Sequence, residues 1–251
     1  MKDLYIGDVG KGFPLVLVHG FLGSSKMWEP QINFFKNYYR VITPDLPGFG
    51  KSNKVKSHNS IQSIAKLLLE CLEEKKIDKF NLLGHSMGGM IAQEMARKNG
   101  NKILKLICYS TGPRGEMPGR FETVDQSRTN LKKKGLEETA KNIAKTWFVN
   151  GESNKFFDIC IEAGKKTSIE TADNALIAFK NWNSINTLKD IKNETLVVWG
   201  DQDKSYNLEQ VQTLKENILN STLAIFKGCA HNVHLEKIDQ FNKTIQEFLN
   251  R

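Results

Sequence analysis

The feature that most constrains this chain is a series of short, largely apolar runs. They are Leu15-Val16-Leu17-Val18, Val41-Ile42-Thr43, Phe80-Asn81-Leu82-Leu83, residues 103–109, Leu196-Val197-Val198-Trp199 and Leu223-Ala224-Ile225-Phe226. None shows the strict apolar/polar alternation of a strand with one wet face. Such runs suit strands buried on both faces, and helical segments between them imply parallel crossovers. Residues 61–74 place Ile61, Ile64, Leu67, Leu68, Cys71 and Leu72 at helical spacing. Residues 88–98 and 240–249 also read as helices, the first stopped by Asn99-Gly100 in a C-cap position. Leu4-Tyr5-Ile6 adds a short strand, and Gly10-Lys11-Gly12 a turn. The predicted class is α/β: a mostly parallel central sheet with helices on both faces.

Ligands of such sheets sit beyond the C-terminal ends of the strands. The unusual segments of this chain fall there: 19–25, 45–52, 84–88, 200–204 and 228–234. One of them is Gly84-His85-Ser86-Met87-Gly88, between a strand and a helix. A serine at the tip of such a turn projects its hydroxyl at a helix N-terminus, and the flanking glycines let strand and helix pass closely. A serine hydroxyl is a poor nucleophile near neutral pH; it needs a base, and the base needs an orienting acid. The histidines are His19, His58, His85, His231 and His234. Asp201 and Asp203 follow the penultimate strand, and His231 and His234 follow the last.

Composition removes several other classes. At 251 residues with 39% hydrophobic and 25% charged residues, the chain reads as one ordinary α/β domain. No apolar run approaches the roughly 18 to 20 residues of a membrane helix. No apolar stretch follows Lys2 as a signal peptide would require, so a cytoplasmic location is expected. The net charge of +8 comes from 30 Lys and 6 Arg interleaved with acids. Lys132-Lys133-Lys134, followed by Glu137-Glu138, reads as a solvated helix face, so no nucleic-acid partner is expected. Cys71, Cys108, Cys160 and Cys229 show no metal spacing and read as buried free thiols, with Cys229 near enough to His231 to line a pocket. No metal and no cofactor is expected. Gly50-Lys51-Ser52 mimics the end of a phosphate loop, but Asp45 stands where its first glycine belongs and Pro47 removes an N–H. The sequons at Asn193 and Asn220 mean little without a signal peptide.

Residues 113–185 differ. After a loop at 113–119 they read as helices at 124–134, 136–147, 153–165 and 169–182, with no buried-strand run. The expected division is a core over 1–112, a helical lid over 113–185, and the rest of the core over 186–251. The lid carries Trp147, Phe148, Phe156, Phe157, Phe179 and Trp182, most of which should serve packing, with a minority lining a pocket. Leu22, Trp147, Phe148 and Trp182 are the expected substrate contacts. Arg114 and Arg120, in the loop entering the lid, read as surface residues, with a substrate carboxylate as the lesser alternative.

Four segments together resemble the α/β-hydrolase fold superfamily, of the serine esterase/lactonase type with a helical lid. They are His19-Gly20-Phe21-Leu22-Gly23-Ser24, Asp45-Leu46-Pro47-Gly48-Phe49-Gly50-Lys51-Ser52, Gly84 to Gly89, and the pair Gly200-x-x-Asp203 and Gly228-x-x-His231. The resemblance covers nearly the whole core and implies the order nucleophile, acid, base, hence Ser86, Asp203 and His231. It favours Asp203 over Asp201, and His231 over His234 because Glu236 stands five positions later. It also implies that the backbone N–H groups of Phe21 and Met87 form an oxyanion hole. The lid resembles the family's only in being helical and in being inserted after the sixth strand.

Within this superfamily Ser86 argues against the aspartate-dependent dehalogenases and epoxide hydrolases. His85 replaces the asparagine usual in meta-cleavage C–C hydrolases, and Met90 the arginine that the menaquinone-pathway lyase-like members favour. The expected activity is hydrolysis of a small-molecule carboxylic ester or lactone. C–C bond hydrolysis, the lyase-like reaction, and a small-molecule receptor with residual hydrolysis stand as alternatives.

Overall fold

The computed structural model describes residues 4–116 and 119–251. Among the described residues seven strands form one sheet: β1 (Ile6–Val9), β2 (Pro14–Val18), β3 (Arg40–Pro44), β4 (Phe80–His85), β5 (Ile103–Tyr109), β6 (Glu194–Gly200) and β7 (Ser221–Phe226). Their order is β1-β3-β2-β4-β5-β6-β7. Only the β1–β3 pair is antiparallel. Helices α1 (Glu29–Phe35), α2 (Ile61–Glu74) and α3 (Met87–Asn99) connect the first strands, and α4 (Val124–Lys145), α5 (Phe157–Lys165) and α6 (Ile169–Lys180) separate β5 from β6. α7 (Leu208–Asn217), α8 (Val233–Glu236) and α9 (Ile238–Leu249) complete the order.

The apolar runs bury because successive side chains point to opposite faces of the sheet and both faces are covered. Val16, Val18, Leu82, Leu106, Cys108 and Val197 join one core cluster, with α2, α3 and the helices that follow β5. Leu15, Leu17, Leu83, Ile107, Tyr109 and Val198 join the other, with Trp28, Phe35 and the apolar face of α9. Even Lys105 is drawn in: its Nζ donates to the carbonyl of Phe248, near the end of α9, at 2.9 Å and pairs with Glu194 at 3.0 Å. The four cysteines are free and buried. No helix is long and apolar enough to cross a membrane among the described residues.

Three expectations need adjustment. β7 is an edge strand, so Ile225 is 45% exposed although its run reads as buried. Gly100 has right-handed φ (−56°) and continues from α3 into a 3-10 turn at Gly100–Lys102 rather than capping it in left-handed form. Asn193 does that work, donating through Nδ2 to the carbonyls of Gly100 (2.9 Å) and Ile103 (2.6 Å). The helical insertion follows the fifth described strand.

The insertion is otherwise close to its reading. α4 breaks at Gly135 (φ 79°), which separates two helical stretches, and a capping box of Thr123 and Gln126 starts it. The side chains of Lys132, Lys133 and Lys134 lie on its exposed face.

Candidate active site

Ser86 sits between β4 and α3 with φ 57° and ψ −118°, a conformation rare for a residue with a side chain. Surrounding contacts hold it there. Its N–H donates to the Tyr109 carbonyl at 2.9 Å, and its carbonyl accepts from Gly89 N–H at 2.9 Å and the Thr111 hydroxyl at 2.8 Å. The turn also requires Gly88: a Cβ there would stand 2.6 Å from the His19 carbonyl oxygen and closer still to that of Val18. Gly20 meets the turn from the other side, where a Cβ would lie 2.9 Å from Ser86 Cβ. The two loops therefore approach at backbone distance.

Asp203 and His231 come from the loops after β6 and β7. Asp203 Oδ1 accepts from the N–H groups of Ser205 (2.7 Å) and Tyr206 (3.3 Å). This fixes the carboxylate so that Oδ2 lies 2.9 Å from His231 Nδ1. Both side chains are almost fully buried, at 0% and 2% exposure. Asp201 instead accepts from Gly228 N–H at 2.7 Å, which ties the two loops together on the surface.

His231 is braced on every side. The Tyr206 ring stacks on it at 5.8 Å with a 10° interplanar angle, and Trp147 lies 6.2 Å away. Its carbonyl accepts from the Tyr109 hydroxyl at 3.0 Å, and His85 Nε2 lies 3.3 Å from the same oxygen. Glu236 accepts from Ala230 N–H (2.6 Å) and Val149 N–H (2.7 Å), so it pins the histidine loop to the insertion. Burial pushes its carboxyl above the usual carboxylate range.

His234 is a core residue. Its Nδ1 lies 2.9 Å from the Tyr109 hydroxyl, and burial drives its pKa down to about 3, with nearby His231 adding to the effect. His85 is pushed down for the same reasons, burial first. The sequence does not announce that His85, Tyr109 and His234 form one buried group behind His231. Its only trace is three polar rings in otherwise apolar surroundings. His19 serves the opposite loop: its Nε2 accepts from Leu46 N–H at 2.9 Å, and its Nδ1 donates to the Gly20 carbonyl at 2.8 Å.

Ser86 and His231 open onto one cavity of about 30 Å³, also lined by Phe21, Ile143, Trp147, Leu176, Phe179, Arg120, Ser205 and Tyr206. The Ser86 hydroxyl closes no hydrogen bond of normal geometry to a described residue. The N–H groups of Phe21 and Met87 donate to no backbone acceptor among the described residues. Met87 opens α3, where the helix dipole favours negative charge. Of the expected substrate contacts, Trp147 lines the cavity. Leu22, Phe148 and Trp182 do not: all three are buried in the packing between the insertion and the sheet. Trp147 and Phe148 are neighbours just past α4, and only the first points inward. Cys229 is buried against the α9 side of the sheet rather than lining the cavity.

Arg120, expected at the surface with a substrate carboxylate as the lesser alternative, lines this cavity as well as an outer groove of about 380 Å³. Its Nη1 donates to the Glu122 carbonyl (2.6 Å) and the Ser127 hydroxyl (3.2 Å), and its guanidinium lies 4.3 Å from the Phe121 ring centre. Burial lowers its pKa, an effect that the nearby Glu122 only partly opposes. Arg114 lines the outer groove alone, bridged to Asn183. No group of three or more His, Cys, Asp or Glu is arranged for a metal among the described residues.

The chain and its fold have known relatives. A family profile described as the alpha/beta hydrolase fold matches residues 14–238. The chain is 30% identical to a pimeloyl-[acyl-carrier protein] methyl ester esterase of Legionella pneumophila (strain Corby), over 98% of this chain and 99% of that protein. It is 29% identical to a 2-hydroxy-6-oxononadienedioate/2-hydroxy-6-oxononatrienedioate hydrolase of Pseudomonas putida, over 98% and 92%. The enol-lactonase of Burkholderia xenovorans LB400 shares the fold, with a TM-score of 0.91, 21% identity, and coverage of 99% and 96%. With the sheet order, the serine turn and the paired Asp203 and His231 in place, the chain belongs to the alpha/beta hydrolase fold family.

Proposed function

We propose that this chain is a serine hydrolase that cleaves a carboxylic ester or lactone through an acyl-enzyme on Ser86. The observation that carries the reading is the shielded His231–Asp203 pair at 2.9 Å, opening onto the same cavity as a strained serine turn. Ser86 Oγ attacks the acyl carbon while His231 Nε2 takes its proton. Asp203 orients the ring and stabilises the imidazolium. The N–H groups of Phe21 and Met87 hold the oxyanion, a role in which one donor is worth about 3 kcal/mol. His231 then protonates the departing alcohol and later activates a water that releases the acid. None of these steps calls for a metal or a cofactor.

Two further facts bear on the reading. The relative named as a methyl ester esterase aligns along nearly the whole chain. The cavity of about 30 Å³ has room for only a water or two, so an ester enters by displacing side chains of the insertion. Ile143, Trp147, Leu176 and Phe179 form that movable wall, which is how the insertion acts as a lid. The hydrogen bond between Ser86 and His231 closes when substrate excludes water.

Ser86→Ala should abolish turnover of p-nitrophenyl esters and labelling by a fluorophosphonate probe. Turnover undiminished in that variant would refute the assignment. A single burst of product followed by a lasting stall in the wild type would favour a receptor with residual hydrolysis.

A further inference from the structure

Two polar groups on the cavity wall take no part in ester cleavage at Ser86 and keep donors without an acceptor among the described residues. One is the Arg120 guanidinium. Among the described residues both of its hydrogen bonds leave from Nη1, and Nε and Nη2 donate to no acceptor. No carboxylate lies within ion-pair distance among the described residues; the nearby Glu122 carboxylate instead accepts from the Ser127 hydroxyl and the Asn130 amide. The other is the Tyr206 hydroxyl. It is fully buried beside Ser86 and Thr111 and completes a hydrogen bond with neither.

A buried donor without an acceptor and a largely buried cation without a counter-ion are both costly. The faces of Phe121 and Phe179 recover only part of that cost for Arg120. The two groups reach one cavity from separate elements: Arg120 from the loop between β5 and α4, Tyr206 from the loop between β6 and α7. The rest of that wall is apolar apart from Ser86, Ser205 and His231.

We propose that Arg120 and Tyr206 form a carboxylate subsite, so that the preferred substrate is an ester or lactone carrying a second, free carboxylate, such as the half-ester of a dicarboxylic acid. This rests on the reading of Ser86 as an ester-cleaving nucleophile. A guanidinium fork offers Nε and Nη2 to a carboxylate in parallel, and Tyr206 supplies a third donor. Charge selects carboxylate over phosphate: among the described residues Arg120 is the only Lys or Arg on the cavity wall, so a dianion would stay half-neutralised. The outer groove mixes Arg114 and Lys180 with Glu116, Glu122 and Asp125, so the selection lies at Arg120 rather than at the mouth.

The test pairs monomethyl esters of straight-chain dicarboxylic acids with the dimethyl esters of the same acids. At the best chain length the wild type should favour the half-ester in kcat/KM by about 10- to 100-fold, as charge-assisted hydrogen bonds allow. Arg120→Met should collapse this ratio towards one, Arg120→Lys should keep part of it, and Tyr206→Phe should lower it through KM. Thermal stabilisation of the intact wild type by the free diacid, and not by the monoacid of equal length, reads the subsite without turnover or mutation. A half-ester no better than its diester across the series would overturn the proposal, as would a preference that survives Arg120→Met. If no ester of either kind turns over, the ester-hydrolase reading fails, and diacid-specific stabilisation still decides the subsite.

Discussion

The serine turn can be tested at a residue that never meets substrate. In Gly88→Ala the new Cβ would lie 2.6 Å from the His19 carbonyl oxygen and still closer to that of Val18. Ordinary contact begins near 3.4 Å, so something must move by about 1 Å to clear the Val18 oxygen. Neither neighbour yields easily: Val18 ends β2, paired with Gly84 of β4, and His19 is tied to Leu46 and Gly20. The start of α3 therefore shifts, carrying Ser86 and the Met87 N–H away from the Phe21 N–H. Overpacking of this kind costs about 1–3 kcal/mol. At this chain length that corresponds to a Tm lower by about 2–12 °C. A misplacement approaching 1 Å costs about 100-fold in rate. The assay is kcat on a p-nitrophenyl ester, beside a thermal melt that shows the variant folded at the assay temperature. A folded Gly88→Ala protein within threefold (roughly) of wild-type kcat would refute the argument that backbone proximity positions the nucleophile.

Two other perturbations follow from the site. Asp203→Asn should lower kcat by up to about 10⁴-fold, because an amide selects the wrong imidazole tautomer, whereas Asp201→Asn should leave kcat near wild type; equal losses in the two variants would reverse the assignment of the acid. Between about pH 3, where folded His234 titrates, and its ordinary value of 6.5, the unfolded chain holds a proton that the folded chain refuses. Stability must therefore fall as pH drops through that window, by at most about 1.4 kcal/mol per unit for this group alone. Urea denaturation between pH 7 and pH 5 checks this, and a flat profile would show that His234 is not held neutral.

Much of the architecture was legible because strands buried on both faces need long apolar side chains at every position. Val16 and Leu17 look alike in sequence and pack on opposite sides of the sheet. The same logic overreached at β7, whose run is just as apolar but lies at an edge where nothing covers Ile225. The site segments were legible for a different reason. Close backbone approach demands glycine at Gly20 and Gly88, and the pairing of Asp203 with His231 uses loops of fixed spacing at strand ends.

The cavity wall was hardly legible. Trp147 and Phe148 adjoin and are equally apolar, and one lines the cavity while the other fills the core. Arg120 reads as solvated from its loop composition, since nothing local reports that Phe121, Phe179 and Tyr206 will surround it. Tyr206 has no motif around it. It matters because its ring lies flat on a histidine 25 residues later in the chain.

By itself, then, the amino-acid sequence determined the parallel sheet, the serine turn, and the loops that bring an acid and a histidine to the same edge. These depend on local demands: side-chain periodicity along a strand, and the absence of a Cβ where two backbones touch. The tertiary structure alone decided what faces Ser86, which histidines are sealed in the core, and that a guanidinium and a phenol share the cavity without partners of their own. Those facts depend on packing among residues far apart in the chain: Trp28, Tyr109 and Phe241 surround His234, and α4, α6 and the loops after β5 and β6 meet at the cavity.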